Sequence, residues 1–400
     1  MRPRILGLGA ALALAPFLCA VERSGPIDLA AKLEPIRQRH GLPALGAVVL
    51  RGDRIVAEGV TGIRRLGSST PTPATIADRF EIASCAKAFT TTVVGQLVEE
   101  GKTTWDTTLY ELFRAHVTDI DPAWKAATLR QALAHSAGLK DRPFAFRSAT
   151  RQPGATASQQ RLAYLRKILA RPPAYHPGSQ VVYGSSGSLL AAAVIEQLTG
   201  ETWEHALAQR LFRPLGMSSA GFGPPGSPGL ADQPWGHGRR RWLHAIPLPG
   251  RSNLAFDPAS PGADFPRAAA PAGLVHVSLH DWAHFASLHL RAHQANPKRH
   301  VAFLQSATFE ALHTAPAETL DFALGWQVGT RSWARGSRAA DTGRVLFHLG
   351  DNGRWNTAAW LAPERDAAIL IVTNRGGSWR AVDQAAGALI GVLAQLRDSE

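Results

Sequence analysis

Two hydrophobic periods divide this chain. Residues 27 to 40 (IDLAAKLEPIRQRH) carry apolar side chains at helical spacing up to Gly41, which predicts an amphipathic helix. Ala44 to Leu50 and Arg54 to Val60 then become rich in Val and Ile on either side of Arg51-Gly52-Asp53, the pattern of a β-hairpin. Residues 63 to 79 show no period and read as loop. Phe80 to Ala83 leads into residues 86 to 100 (AKAFTTTVVGQLVEE), where Phe89, Val93 and Leu97 fall on one helical stripe beside Val94 and Val98. Gly101 ends that helix.

From about 102 to 300 the strand signals fade into short helices, at Leu129 to Ala134, Gln160 to Ala170, Ser186 to Thr199 and Trp203 to Phe212. The stretch 221 to 272 is dense in Pro and Gly, and its length predicts a surface or site-lining excursion. Ser278 precedes a helix from His280 to about Ala292, with Asp281 as the acid of a capping box. β patterning returns at Arg344 to Phe347, Trp355 to Leu361 and Ala367 to Thr373. Ala381 to Leu396 closes the chain as a helix with Val382, Ala385, Leu389 and Val392 on one face. There is no internal repeat. The expected architecture is α/β, one domain whose antiparallel sheet is drawn from 25 to 101 and 318 to 400 and flanked by helices. A mostly helical region, 102 to 317, is inserted between the two halves.

Composition narrows the classes. Four hundred residues, 45% hydrophobic and 18% charged, can bury a large core and exclude a disordered chain. Arg2 and Arg4, an apolar run from Ile5 to Leu18, and Cys19-Ala20 have the order of an export signal, with cleavage expected after Ala20. That run, broken by Pro16, is too short to cross a bilayer, so a periplasmic or secreted protein without a transmembrane anchor is expected. Pro16-Phe17-Leu18 lacks the small residues a lipidated Cys19 would prefer. Only Cys85 then remains, and no internal disulfide can form. The formal charge of +12 comes from scattered Arg residues, the densest run being Arg239-Arg240-Arg241. No nucleic-acid module accompanies them, so solubility or association with anionic envelope polymers accounts for the charge better than nucleic acid does.

Candidate chemistry centres on Ser84 and Lys87. Three residues apart at a helix start, they lie over one face, and the amine can reach the hydroxyl. A helix N-terminus offers free N–H groups to a developing oxyanion, and both it and burial disfavour an ammonium. A neutral amine can take the serine proton, whereas a guanidinium cannot. Only seven of the 43 basic residues are lysine, so lysine at this position is informative. Cys85 beside the serine reads as a small buried residue rather than a second nucleophile. Tyr183, in Val181-Val182-Tyr183-Gly184-Ser185-Ser186-Gly187 before an apolar helix, can aim a hydroxyl into a cleft and relay protons. His348, in Phe347-His348-Leu349-Gly350-Asp351-Asn352-Gly353, falls at an expected strand end where Gly350 lets backbone approach a bound carbonyl.

Together these stretches resemble the serine hydrolases related to class C β-lactamases and penicillin-binding proteins, whose SxxK, YxN and KTG or HxG elements follow the same order. Leu129-Arg-Gln-Ala-Leu-Ala-His135-Ser-Ala-Gly138-Leu, Pro214-Leu-Gly-Met217, Pro271-Ala-Gly273, Gly325-Trp326 and Val372-Thr-Asn374 extend the likeness over about 27 to 396. The resemblance implies a β-lactamase/transpeptidase-like fold, with Ser84 acylated, Lys87 as base, Tyr183 as proton relay and His348 in place of the KTG lysine. It implies an oxyanion hole from the N–H groups of Ser84 and Asp351, with Ser185, Gly350 and Asn352 bordering the substrate. No cofactor is implied, and the partner is a small-molecule or peptide substrate.

Two departures matter. Ser185 stands where the family has Asn and makes fewer hydrogen bonds, and His348 removes a permanent cation. Both lean toward ester or small-amide hydrolysis, with D-amino-acid peptides or β-lactams as the alternative and non-catalytic binding of cell-wall peptide as a third. His280 and His284, with His276, His289 and His293 nearby, could suggest a metal. Without HExxH they read as a polar helix face. Gly184-Ser-Ser-Gly187 has the wrong spacing for a GxSxG elbow.

Overall fold

The computed structural model describes residues 25–238, 253–260, 262–292 and 303–396; the candidate leader, the Arg239 to Arg241 run and His293 lie outside the described residues. The first element is a short strand, β1 (Ile27–Asp28), and helix α1 (Ala30–Arg39) begins only after it. This corrects the helix expected from residue 27. The Asp28 side chain accepts the Ala30 N–H at 2.8 Å, and Ile27 and Asp28 pair with Ala57 and Glu58 instead of coiling. Strands β2 (Ala44–Arg51) and β3 (Arg54–Gly62) form the expected hairpin, followed by β4 (Arg79–Glu81), a 3₁₀ turn (Ala83–Ala86) and α2 (Lys87–Glu99).

The helical region runs α3 (Leu109–Phe113), α4 (Leu129–Leu133), α5 (Pro143–Thr150), α6 (Ala157–Leu169), α7 (Ser186–Thr199) and α8 (Trp203–Leu207), the last continuing as a π-type turn through Phe212. After it come β5 (Gly221–Phe222), β6 (Gly236–Gly238), β7 (Leu254–Phe256), α9 (Ala270–Gly273), β8 (Val275–Ser278), α10 (Leu279–Arg291) and α11 (Ser306–His313). Strands β9 (Gln327–Thr330), β10 (Arg344–Asp351), β11 (Asn356–Ala362) and β12 (Ala367–Thr373) precede the closing helix α12 (Trp379–Gln395). Helices α3 and α5 and strand β9 had no period long enough to read. The Thr108/Glu111 capping box that starts α3 is a local signal that could have marked it.

The main sheet has the order β1-β3-β2-β12-β11-β10-β9 and is antiparallel apart from the β1–β3 pair. Pairing of β12 with β2 joins the two ends of the chain, as expected. Alternation along β2 and β12 then divides the core. Val48, Leu50, Leu370 and Val372 pack on one face with Phe89 and Val93 of α2 and Phe285 of α10. Val49, Ile369 and Ile371 pack on the other with Leu33 of α1 and Leu389 of α12. Each such side chain stabilises the fold by roughly 1.5–3 kcal/mol relative to exposure, which fixes α2 rigidly against the sheet.

Three further expectations change. Ser278 Oγ accepts the Asp281 N–H, but the Asp281 carboxylate accepts from Ser219 N and Oγ at 2.7 and 2.6 Å, so only half of the capping box forms. His289 is not on a polar face; it is buried between Thr92 Oγ1 and His313, at 3.0 and 2.8 Å, while His280 meets Glu58 at 2.6 Å and His284 is exposed. His348 lies inside β10, which continues to Asp351, because Leu346 through Asp351 stay paired with β11.

Candidate active site

Ser84 sits in the 3₁₀ turn and Lys87 opens α2, so the serine precedes the α-helix instead of starting it. The cause is the sharp turn from β4, which Ala83 makes at φ +46°. A left-handed alanine costs about 1–2 kcal/mol. Two glycines allow the neighbouring backbone to hold it there. A Cβ on Gly273 would stand 2.9 Å from the Ala83 carbonyl carbon and 3.1 Å from Ser84 N; one on Gly350 would stand 2.6 Å from Ile82 O.

Lys87 Nζ donates to Ser84 Oγ at 2.9 Å and to Ala272 O at 2.8 Å, with its side chain buried. The Tyr183 ring lies over the same amine, its centroid 5.0 Å away. Tyr183 is 49% exposed, and among the described residues no hydrogen bond joins its hydroxyl to Ser84 or Lys87, so the ring rather than the oxygen faces the pair in this conformation. Its segment is well anchored. Val182 N donates to His135 O at 2.8 Å, and the Asp141 carboxylate accepts from Ser185 N, Ser186 N and Ser186 Oγ. A Cβ on Gly184 would stand 2.9 Å from the same carboxylate, so a side chain there would displace it.

His348 is buried beneath this group, its ring centroid 6.0 Å from Tyr183 and 5.8 Å from Phe322. Nδ1 lies 2.9 Å from Leu349 O; donation there leaves Nε2 as an acceptor, and Nε2 is buried without a partner among the described residues. Burial, then the Lys87 charge, lowers the His348 pKa to about 3, so the imidazole is neutral at pH 7. His135 completes the cluster, 4.6 Å from both Tyr183 and Phe322, and burial lowers its pKa as well. Cys85 is out of the chemistry: it is buried against His348 O, and burial pushes its thiol up to about 12.

The end of β10 reaches the mouth of the site. Strand β9 stops at Gln327 opposite Phe347, so residues 348 to 351 have no β9 partner. Asp351 borders the pocket, while its carboxylate accepts from Gly353 N and Gly377 N at 2.6 and 2.8 Å. Asn352 also borders it, but its amide is spent within the protein, donating to Glu81 and accepting from Arg354 N and Trp355 N. Gly350 is buried by its approach to Ile82 and serves as a seat for the turn. The pocket, about 680 Å³, is closed on its far side by Gly262, Asp264, Phe265 and Ala272 of the Pro- and Gly-rich excursion.

Sequence reasoning gave no role to His135, Asp141, Glu81, Asp264 or Phe322. His135 stood inside the stretch quoted for resemblance, but its φ of +57° and its contact with Tyr183 are tertiary. Burial raises the Glu81 carboxyl well above its ordinary range, with Asp264 adding to the effect. Burial also pushes Asp264 to about 7, against the Phe265 N–H and the charges of Arg267 and Arg354. The folded chain therefore keeps a proton at Asp264 that the unfolded chain releases near pH 4, and the stability this gives is lost progressively as pH rises from about 4 to 7. Asp264→Asn should raise Tm relative to the parent by about 2–5 °C more at pH 8 than at pH 4.5. Thermal unfolding at the two pH values checks this, and an equal offset at both would contradict it.

The Beta-lactamase family profile matches residues 29–392. The chain is 26% identical over 373 residues to penicillin-binding protein 4 of Amycolatopsis lactamdurans, covering 92% of this chain and 90% of that protein. It is 30% identical over 199 residues to lovastatin esterase of Penicillium rubens, 45% of this chain and 49% of that one. The crystal structure of D-amino acid amidase from Ochrobactrum anthropi SV3 complexed with L-phenylalanine superposes with a TM-score of 0.68 at 18% identity, covering 93% of this chain and 98% of that one, a likeness of fold.

Proposed function

This chain belongs to the Beta-lactamase family and is one of its serine hydrolases, and from that premise we propose that it hydrolyses esters or small amides through an acyl-enzyme on Ser84. The observation that carries the assignment is the 2.9 Å contact between Lys87 Nζ and Ser84 Oγ in a setting closed by Tyr183. In the reaction, the Lys87 amine takes the Ser84 proton as Oγ attacks the carbonyl. The oxyanion is received by the N–H groups of Ser84 and Asp351. Tyr183, turned so that its hydroxyl points into the site, gives its proton to the leaving group and regains one from Lys87, and the same groups activate the water that frees Ser84. His348 is neutral, and among the described residues its Nε2 has no partner.

Substrate class follows from what the site lacks. A neutral His348 offers no cation to a carboxylate beside the scissile bond, and Ser185 offers one short hydroxyl where an amide would make more bonds. Both favour an ester. Hydrolysis of D-amino-acid peptides or β-lactams is the second reading, favoured by the penicillin-binding relative that matches nearly the whole chain. The candidate leader at residues 1 to 20 supports export of the mature enzyme. Parallel assay of p-nitrophenyl esters, a chromogenic cephalosporin and D-Ala-D-Ala peptides separates the readings. The ester should exceed the cephalosporin in kcat/KM by about a hundredfold, because a lost hydrogen bond to a charged group costs about 1.5–3 kcal/mol. The reverse order would establish the second reading.

A further inference from the structure

The pocket at Ser84 does not end at Ser185. Ser185, Phe265, Pro266 and Ala269 border both it and a second cavity of about 680 Å³, a size in the range of about 300–1,000 Å³ typical of small-molecule sites. The wall of this second cavity is one face of α5. Pro143, Phe146, Arg147 and Thr150, at helical spacing, all line it, opposite Leu189 of α7 and Phe265. The wall is fixed in place: Phe146 packs edge-on to Tyr164 at 5.3 Å, and Arg142 N donates to the Tyr164 hydroxyl. At the mouth stands Phe144, 88% exposed, an aromatic ring that no described residue covers.

The cavity also has cations to spare. Arg142 and Arg147 line it, and among the described residues neither guanidinium makes a hydrogen bond or ion pair. Asp141, the neighbouring acid, is occupied by Ser185 and Ser186. Arg354 and Arg375, which border the Ser84 pocket, instead donate to Gly262 O and to His40 O. The guanidiniums beside Ser84 are thus held by backbone carbonyls, and those that make no such bond among the described residues stand one cavity further out.

We infer that the substrate of Ser84 carries an apolar arm ending in a carboxylate, with the arm between α5 and Phe265 and the carboxylate on Arg142 and Arg147. This rests on the hydrolase assignment above and adds the shape of the substrate to it. A charge-assisted pair to a guanidinium recognises a terminal carboxylate, and the aromatic walls reward the chain that carries it there.

The test compares p-nitrophenyl acetate, mono-p-nitrophenyl suberate and the methyl ester of that suberate, with a second series placing the arm on the alcohol side of an acetyl ester. In one series the arm should raise kcat/KM at least about tenfold over its armless counterpart, and the free carboxylate should add about fivefold over the methyl ester. Arg142→Gln/Arg147→Gln should remove the carboxylate preference, and Phe144→Ala/Phe146→Ala should reduce the arm preference. Binding of the p-nitroanilide of suberic acid to Ser84→Ala, measured by calorimetry, should weaken about tenfold when the two arginines are also replaced. Acetate turnover with no arm preference in either series would overturn the inference and leave the hydrolase assignment intact. Arginine-dependent binding without any turnover would sink the hydrolase assignment and uphold the subsite.

Discussion

Lys87→Arg is expected to lose activity as completely as Lys87→Ala, by about a thousandfold or more in kcat/KM on the best ester substrate, because a proton-transfer group acting directly on the nucleophile contributes on that scale. Arginine keeps the charge and can keep a hydrogen bond to Ser84, so survival of activity in Lys87→Arg would mean that Lys87 acts as a cation and not as a base. The environment makes the comparison clean. Lys87 is buried and already donates to Ala272 O, which orients the amine toward Ser84 without neutralising it by a carboxylate. Among the groups facing it, His135 and His348 are held neutral by burial, so neither competes as an acid near pH 7. A larger guanidinium could also disturb this packing. Lys87→Met, close in shape and without a base, controls for that: it should unfold near the parental Tm and still lose the same activity. Steady-state kinetics and thermal unfolding of the three variants supply the measurement.

What the sequence disclosed, and what it concealed, divides along the range of the interactions involved. Ser84 and Lys87 were legible because three residues on a helical path are always neighbours, whatever surrounds them. Strand β12 and helix α7 were read with the bounds they have, since Ala367 to Val372 is uninterrupted apolar chain closed by Thr373 and Ser186 to Thr199 ends at Gly200. The 3₁₀ turn was not legible, because it depends on Ala83 taking a left-handed conformation that only the approach of Gly273 and Gly350 explains. Asp141 could not be found either. It holds Tyr183's loop by accepting from Ser185 and Ser186, more than forty residues away, and nothing in its local pattern announces that. The Pro- and Gly-rich excursion was recognised by its composition and length, which say nothing of which residues face the site, yet it supplies Asp264 and Phe265 to the wall. His348 illustrates the mixed case. Its place in the motif was evident, but its burial inside β10 and its neutral ring came only from the packing.

The two departures from the family's motif now have a common physical consequence. His348, its pKa lowered to about 3, is a poor base, and the guanidiniums of Arg354 and Arg375 stay charged while donating to backbone carbonyls. That favours keeping the lysine amine as the principal basic group at the nucleophile. It also leaves recognition of any substrate charge to residues further out, on α5.

The central claim is that Ser84 forms the covalent intermediate. A fluorophosphonate transfers its phosphonyl group to a serine only where a base takes the hydroxyl proton and the displaced fluoride can depart, so it reports on Ser84, Lys87 and the oxyanion donors at once. Cys85, adjacent in sequence, is buried and pushed up to about 12, and should not react in its place. Intact-mass and peptide-level mass spectrometry after treatment with the probe should show one added phosphonyl group per chain, on the peptide containing Ser84, and none in Ser84→Ala. Labelling that persists undiminished in Ser84→Ala would contradict the assignment of the nucleophile and with it the proposed site.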